Sequence, residues 1–197
     1  MKNEISRRFD DNIARVGGLI TSYAGALPGV QGRPTVTTTD ILRGAVVFLH
    51  ASLEDLLRSI LEWKLPSTLK PENLEDVPLD GEDPGKYTLG QFAKHRGRTV
   101  EEVIERSVRG YLERSNFNNV KQVASALTRS GIATAPLTAH AGDLESMMKR
   151  RHWIVHRADR NQAQGQGQFA AMSLHPNTVK AWVVSVETFG KAVLALL

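Results

Sequence analysis

The longest helical repeat of apolar residues in this chain begins near Thr39 and stops at Pro66. Apolar side chains recur there every three or four positions for several turns: Leu42, Ala45, Val46, Leu49, Leu53, Leu56, Leu57 and Ile60. This period predicts a long amphipathic helix with a threonine N-cap and Asp40 in its first turn. A helix with one apolar face needs partners that cover that face, so the repeat favours a helical bundle.

Other segments with the same period could supply those partners. A stripe over residues 179–197 follows Pro176, which suits a first helical turn. The sequence Thr99-Val100-Glu101-Glu102 matches a capping box, a shorter helix over 120–131 stops at a glycine, and residues 5–23 form an N-terminal stripe. No β-alternation of useful length is present. The predicted fold class is all-α: a helical bundle with long antiparallel helices and no significant sheet.

Length and composition predict one domain. With 197 residues, 41% hydrophobic and 23% charged, the chain can close one sizeable core. We expect an N-terminal helix and loop over 1–38 and a core bundle over 39–197. The acidic, proline-rich stretch 66–87 is predicted as a surface excursion, and the polar, glycine-bearing stretch 161–168 as a mobile loop.

Several classes of protein are disfavoured by composition. The apolar runs are too short for a membrane span and no secretory h-region follows the N-terminus, so a cytoplasmic protein is expected. The absence of cysteine removes disulfides, thiolate metal sites and cysteine nucleophiles. A net charge of +4 is too small to indicate nucleic-acid binding by itself. A second basic cluster, around His95, is expected to be solvated surface.

Residues 149–157 place two histidines within a run of basic side chains: Lys149, Arg150, Arg151, His152, His156 and Arg157. Histidine titrates near neutral pH and arginine stays charged, so together they offer proton transfer and a fixed cation for phosphate. In a helix predicted from about Asp143, Arg151 falls within the apolar stripe that runs from Leu144 to Val155. A guanidinium there must meet an acid or border a cleft that receives an anion.

Helix geometry leaves several interpretations of these residues open. His152 and His156 are four apart and share a face, whereas Arg151 and His156 point roughly 140° apart. A symmetric dimer would bring Arg151 and His156 to one cleft. Basic residues that only stabilise a helix C-terminus are a simpler interpretation, and a metal held by both histidines is a weaker one. His50 and Glu54 could line the same cleft, where Glu54 would hold an arginine, orient a histidine or complete a metal site.

The run Arg151-His152-Trp153-Ile154-Val155-His156-Arg157 resembles the Arg-x4-His signature of the HEPN superfamily. Its ending is close to the form in the branch called RiboL-PSP-HEPN, and the likeness extends over about residues 39–197. The resemblance implies an all-α bundle that commonly dimerises and, in many members, a metal-independent endoribonuclease. Arg151 would carry the family arginine, with Arg150 as a rival, His152 the polar position and His156 the catalytic histidine.

From this resemblance and the residues we expect RNA cleavage by 2′-hydroxyl transesterification, without metal or cofactor. Lys149, Arg157 and Arg160 would contact RNA, and His50, Glu54 and Arg150 would support the site. The expected partners are RNA, a second copy of the chain and an antitoxin or other operon-encoded protein, in a toxin–antitoxin or phage-defence setting. The alternative is a non-catalytic HEPN-like module that binds RNA or nucleotide or serves in dimerisation.

Overall fold

The computed structural model describes residues 1–27, 35–81, 88–160 and 170–197. Seven α-helices lie in these ranges: α1 (Lys2–Gly25), α2 (Val36–Lys64), α3 (Leu89–Ala93), α4 (Val100–Arg114), α5 (Val120–Arg129), α6 (Ala135–Arg157) and α7 (Pro176–Ala195). Two short 3-10 turns, Pro71–Asn73 and Leu79–Gly81, lie between α2 and α3. The β pairing within the described ranges is one isolated bridge between Arg160 and Ala171. The predicted all-α class is confirmed.

Helix α2 lies at the centre of the bundle and packs against α1, α4, α5, α6 and α7. The apolar residues that predicted it are buried, as expected for a helix covered by several partners. Its start was predicted too late. The helix begins at Val36, because Thr35 is the N-cap and its Oγ1 accepts a hydrogen bond from the Thr38 N–H at 3.1 Å.

Helix α1 runs antiparallel to α2 and shares its core. Arg8, near the start of α1, donates hydrogen bonds to Asp55 and Ser59 in the second half of α2. Arg15, further along α1, lies over the ring of Phe48 in the first half of α2. The fully buried Phe9 of α1 packs against α7 at Gly190, where a Cβ would collide with its ring. Glycine therefore permits the close approach of α1 and α7.

Local capping signals explain where two further helices begin. The capping box of α4 is present, because the Glu102 N–H donates to Thr99 Oγ1 at 3.2 Å and the Thr99 N–H donates to Glu102 Oε2 at 2.8 Å. Helix α7 begins at Pro176, as predicted, and His175 is its N-cap. No helix in the described ranges has both the length and the apolarity to cross a bilayer.

The described part of the predicted surface excursion, residues 66–81, packs against the bundle. The Asp80 N–H donates to Ser107 of α4 at 2.9 Å, and Arg129 of α5 donates to the Asn73 carbonyl at 2.8 Å. The basic side chains of the second cluster, Lys94, Arg96 and Arg98, are exposed as predicted. His95 is 8% exposed and lies 3.4 Å from the Asp80 carboxylate, so for His95 the prediction of solvated surface is wrong. Residues 82–87 and the predicted loop 161–168 lie outside the described residues.

Candidate functional site

The basic run 149–157 occupies the C-terminal part of α6. This helix begins at Ala135, with Pro136 in its first turn, well before the predicted start at Asp143. Leu144, Met147 and Met148 are buried, but Val155 is 48% exposed. The prediction that the apolar stripe continues to Val155 is therefore wrong, and the last turn of α6 extends beyond the core.

His152 and His156 lie together on the exposed surface of that last turn. Their ring centroids are 4.7 Å apart and the ring planes are tilted by 46°. Trp153, 37% exposed, and Val155 add apolar surface beside the two imidazoles. Arg151 and His156 lie in the same uninterrupted helix, whose regular geometry directs them roughly 140° apart. One copy of α6 therefore presents an imidazole pair on one side and Arg151 on another.

Arg151 is half-buried, and its charge is not neutralised within the described residues. Its Nη1 donates to Asn118 Oδ1 over a long distance of 3.4 Å, and its buried Nε has no hydrogen-bond partner. No carboxylate of the described chain lies within 4.0 Å of this guanidinium. Arg151 thus retains the capacity to bind an anion, and Asn118 is a neighbour that the sequence analysis missed.

His50 and Glu54 of α2 contact the peptide groups of Phe117, the residue that precedes Asn118. His50 is 1% exposed, and its Nε2 lies 3.3 Å from the Phe117 carbonyl. Glu54 Oε1 accepts a hydrogen bond from the Phe117 N–H at 3.0 Å, while Oε2 lies 3.6 Å from His50 Nδ1. Of the predicted roles for Glu54, the geometry matches contact with a histidine rather than with an arginine.

The pKa of His50 is lowered from its ordinary value of 6.5, first by burial of the imidazole. The charge of Glu54 and the Phe117 carbonyl oppose this shift, whereas the positive charge of Arg151 adds to it. A neutral imidazole donates from Nε2 to the Phe117 carbonyl, which leaves the buried Nδ1 without a hydrogen-bond partner. The electrostatic effect of Arg151 means that α2 and α6 bring these two side chains close together.

Arg150, the rival for the arginine role, is bound within the fold. Its Nη2 donates to Asp159 Oδ2 at 2.7 Å and to the carbonyls of Met172 and Ser173 at 3.1 and 3.0 Å. Arg43 of α2 donates to the same carboxylate oxygen, also at 2.7 Å. Asp159 is fully buried and pairs with both guanidinium groups. Arg150 therefore belongs to an ion cluster that stabilises the fold, and Arg151 takes no part in that cluster.

Asp159 also ends α6 through its backbone. Ala158 and Asp159 adopt left-handed conformations, with φ of 49° and 55°. The Asp159 N–H donates to the Trp153 carbonyl at 3.0 Å, and its own carbonyl accepts from the Met172 N–H at 2.8 Å. Asp159 is the sole carboxylate among the basic residues of 149–160, and this was the signal that could have identified it.

The three residues predicted to contact RNA are exposed. Lys149 pairs with Glu145 one turn earlier at 3.0 Å, and Arg157 is the last residue of α6. Arg160 borders an open cleft of about 710 Å³ between α2 and the end of α6, together with Phe48 and Ile154. Basic side chains therefore flank the last turn of α6 on its solvent side.

In the ranges that the structure describes, no group of three or more side chains is arranged to hold a metal ion. Comparison with protein-family profiles, curated proteins and solved structures yields no significant match to this chain. What this surface can bind therefore follows from its own residues: a half-buried cation, a buried imidazole–carboxylate pair and an exposed pair of histidines.

Proposed function

We propose that this chain is a metal-independent endoribonuclease of the HEPN type, with Arg151, His152 and His156 as its catalytic residues. The state of Arg151 carries this proposal: within the described residues its half-buried guanidinium has no carboxylate within 4.0 Å and makes one long hydrogen bond, to Asn118. Such a group has lost hydration that a phosphate can replace, because guanidinium binds phosphate oxygens in a bidentate manner. The Arg-x4-His motif supports the same assignment.

The chemistry is an internal transfer of the phosphoryl group. The ribose 2′-oxygen attacks the adjacent phosphorus as His156 accepts its proton, the bond to the 5′-oxygen breaks, and the departing oxygen takes up a proton from water. The products are a 2′,3′-cyclic phosphate and a 5′-hydroxyl. Arg151 stabilises the charge that develops on the non-bridging oxygens. Because the nucleophile belongs to the substrate, no metal is required and DNA is not cut.

A second copy of α6 completes the site in this proposal. Arg151 and His156 of one chain diverge around the helix, so His156 from one copy would face Arg151 of the other. The exposed Trp153 and Val155 beside the imidazoles support such pairing, because aromatic and apolar side chains are enriched in the centres of protein interfaces.

The exposed cations around α6 would hold the RNA strand. Lys149, Arg157 and Arg160 are exposed along the C-terminal part of α6 and just beyond it, and would contact phosphates without reading sequence. We place the activity in the cytoplasm, in a toxin–antitoxin or phage-defence setting, with an antitoxin or other operon-encoded protein as the candidate regulator.

The test is an RNA cleavage assay in EDTA with mapped fragment ends. Wild-type protein should cut RNA but not DNA and leave 2′,3′-cyclic phosphates. Arg151→Ala and His156→Ala should each lower the rate by about 100-fold or more. Arg7→Ala removes an exposed arginine from α1 and is the control that should leave the rate unchanged. A folded, dimeric wild-type protein that cuts nothing across a broad RNA panel would overturn the proposal.

One observation favours a second candidate, a non-catalytic module that binds RNA or nucleotide. Neither His152 nor His156 has a carboxylate within 4.0 Å in the described part of the chain, and general bases are commonly oriented by such a group. Tight RNA binding that depends on Arg151, without cleavage in buffers with or without divalent metal, would establish this alternative.

A further inference from the structure

The turn between α4 and α5, residues 115–119, is held in place by side chains of α2. Arg58 donates to the carbonyls of Leu112 and Ser115 at 2.9 and 2.8 Å. Glu54 and His50 hold the N–H and the carbonyl of Phe117, whose ring is buried. The central helix therefore fixes the backbone on the N-terminal side of Asn118.

The backbone of Asn118 is also fixed from its C-terminal side. Its N–H donates to Gln122 Oε1 at 2.7 Å, and the next residue, Asn119, is the N-cap of α5. The Asn118 side chain is nevertheless exposed. An exposed side chain on a rigid turn is well suited to recognition, because little conformational freedom is lost when a ligand binds.

The Asn118 carboxamide lies beside Arg151 and has unused hydrogen-bonding capacity. Its Oδ1 accepts the long 3.4 Å bond from Arg151, and its Nδ2 has no hydrogen-bond partner in the described part of the chain. A carboxamide presents a donor and an acceptor side by side, which matches the edge of a nucleobase. Single-stranded RNA exposes such edges.

Two buried nitrogen atoms lie in this cluster, Arg151 Nε and His50 Nδ1, and neither has a hydrogen-bond partner among the described residues. His50 Nδ1 faces Glu54 Oε2 at 3.6 Å, beyond hydrogen-bond distance. Buried polar atoms are normally paired with protein or water, and His50 is 1% exposed. A phosphate bound to the Arg151 guanidinium would offset its positive charge beside His50.

We propose that Arg151 and Asn118 form a single nucleotide-binding subsite. Arg151 binds the phosphate, and the Asn118 carboxamide hydrogen-bonds the base edge of the adjacent nucleotide, so that Asn118 determines the base preferred next to the cut. Glu54 and His50 are positioning residues that act through the turn. This assignment rests on the proposed ribonuclease function and extends it to sequence preference.

The test compares Asn118→Ala with Asn116→Ala, an exposed asparagine on the same turn whose Oδ1 accepts one long bond of 3.4 Å from Gln122 Nε2. Short RNAs differ only in the base on each side of the cleavage position mapped for the wild-type protein, and kcat/KM is measured for each. Asn118→Ala should lower the ratio between the best and worst base by about 5-fold to 100-fold, the discrimination typical of one bidentate base contact. Asn116→Ala should retain the wild-type ratio. An unchanged ratio in Asn118→Ala, or an equal loss in Asn116→Ala, would overturn the assignment.

A conservative variant of Glu54 tests its positioning role. Glu54→Gln keeps an oxygen that can accept the Phe117 N–H, whereas Glu54→Ala removes it. We expect base discrimination to fall in Glu54→Ala and to be restored in Glu54→Gln. If neither variant loses base discrimination, Glu54 does not have this positioning role.

Binding measurements separate failure of the subsite from failure of the nuclease. Fluorescence anisotropy with the same RNAs gives base preference without cleavage. Base preference that depends on Asn118 in a protein that cuts nothing would overturn the nuclease and retain the subsite. Cleavage with a base preference independent of Asn118 would do the opposite, and absence of both binding and cleavage would overturn both.

Discussion

Arg150 and Arg151 are consecutive on α6, yet their guanidinium groups lie in contrasting surroundings. Arg150 donates at 2.7 Å to a carboxylate that is fully buried and shares it with Arg43. Arg151 reaches an amide oxygen at 3.4 Å, and among the described residues the buried Nε of neither arginine has a hydrogen-bond partner. In one basic run, a cation whose charge is met by a buried carboxylate maintains the fold, while its neighbour, with no carboxylate within 4.0 Å in the described part of the chain, is available to a ligand.

Asp159 also affects Arg151 indirectly, because it helps to hold α6, the helix of both arginines, against α2. Its carboxylate joins α2, through Arg43, to α6, through Arg150, and its backbone carbonyl binds the Met172 N–H. This network fixes the end of α6 against the central helix. The position of Arg151 beside His50 therefore depends on an ion cluster that takes no part in the proposed chemistry.

The largest effect is expected from Asp159→Asn, which removes the buried carboxylate shared by Arg43 and Arg150 and leaves Arg150 without a carboxylate partner in the described part of the chain. Breaking a buried ion pair on one side typically costs about 3–5 kcal/mol, and the same loss is expected here in the free energy of unfolding. Urea denaturation monitored by circular dichroism would measure it. Asp40→Asn is the matched control, because Asp40 also pairs with Arg43 but its side chain is 59% exposed, and it should cost less than about 1 kcal/mol. Equal effects of the two variants would contradict the structural role of Asp159.

The next effect separates the adjacent arginines directly. Arg150→Met removes the two Nη2 N–H groups that are shared among three oxygen atoms and should lower the free energy of unfolding by about 1.5–3 kcal/mol. Arg151→Met should change it by less than about 1 kcal/mol, since Arg151 has one long bond to lose. RNA cleavage or binding, measured on the folded fraction, should fall mainly in Arg151→Met. The reverse pattern would exchange the roles assigned to the two residues.

The fold was largely predictable because its signals are local. The apolar period of α2, the capping box at Thr99 and the proline at the start of α7 all depend on neighbouring residues, and each produced a helix where expected. Errors arose where local signals compete. Thr35 and Thr39 can both cap a helix, and the extended backbone of Thr35 gave it that role.

The candidate site was less predictable because its contacts are distant in sequence. Arg43 and Asp159 are 116 residues apart, and no periodicity reports such a pair. Glu54 lies 63 residues from Phe117, whose backbone N–H it binds, and any residue type offers that group. The motif identified Arg151. To distinguish its role from that of Arg150, the positions of Asp159 and Asn118 were needed.

A pH-dependent effect is expected at His50, whose pKa is lowered by burial and by Arg151. As the pH falls below 6.5, the unfolded chain binds a proton at this position and the folded chain does not, so the free energy of unfolding decreases. The decrease is about 1.4 kcal/mol for each unit by which the pKa is lowered. His50→Gln abolishes this titration and retains a donor for the Phe117 carbonyl.

Urea denaturation of both proteins at pH 7.5 and pH 5.5 measures this contribution. The stability advantage of the wild-type protein over His50→Gln should be smaller at the lower pH. An advantage that grows on acidification would mean that Glu54 dominates over burial and Arg151. The negative charge of Glu54 would then compensate the positive charge of Arg151, and the contrast between Arg151 and Arg150 would be lost.

The smallest effect is expected for the exposed cations that follow Arg150 and Arg151 in the sequence. Arg157→Gln removes one exposed charge at the end of α6 and should reduce the slope of log binding constant against log salt by about 0.7, the value for one phosphate contact with a single strand. Arg7→Gln is the control on α1. Its neighbour Arg8 contacts Ser59 of α2, whereas the end of α6 is joined to α2 near Arg43, so Arg7 lies at the other end of the bundle. The positions of Ser59 and Arg43 are separated by about 24 Å along α2. Titrations of a short RNA at several salt concentrations would measure both slopes, and equal slopes would mean that RNA follows the overall charge rather than the end of α6.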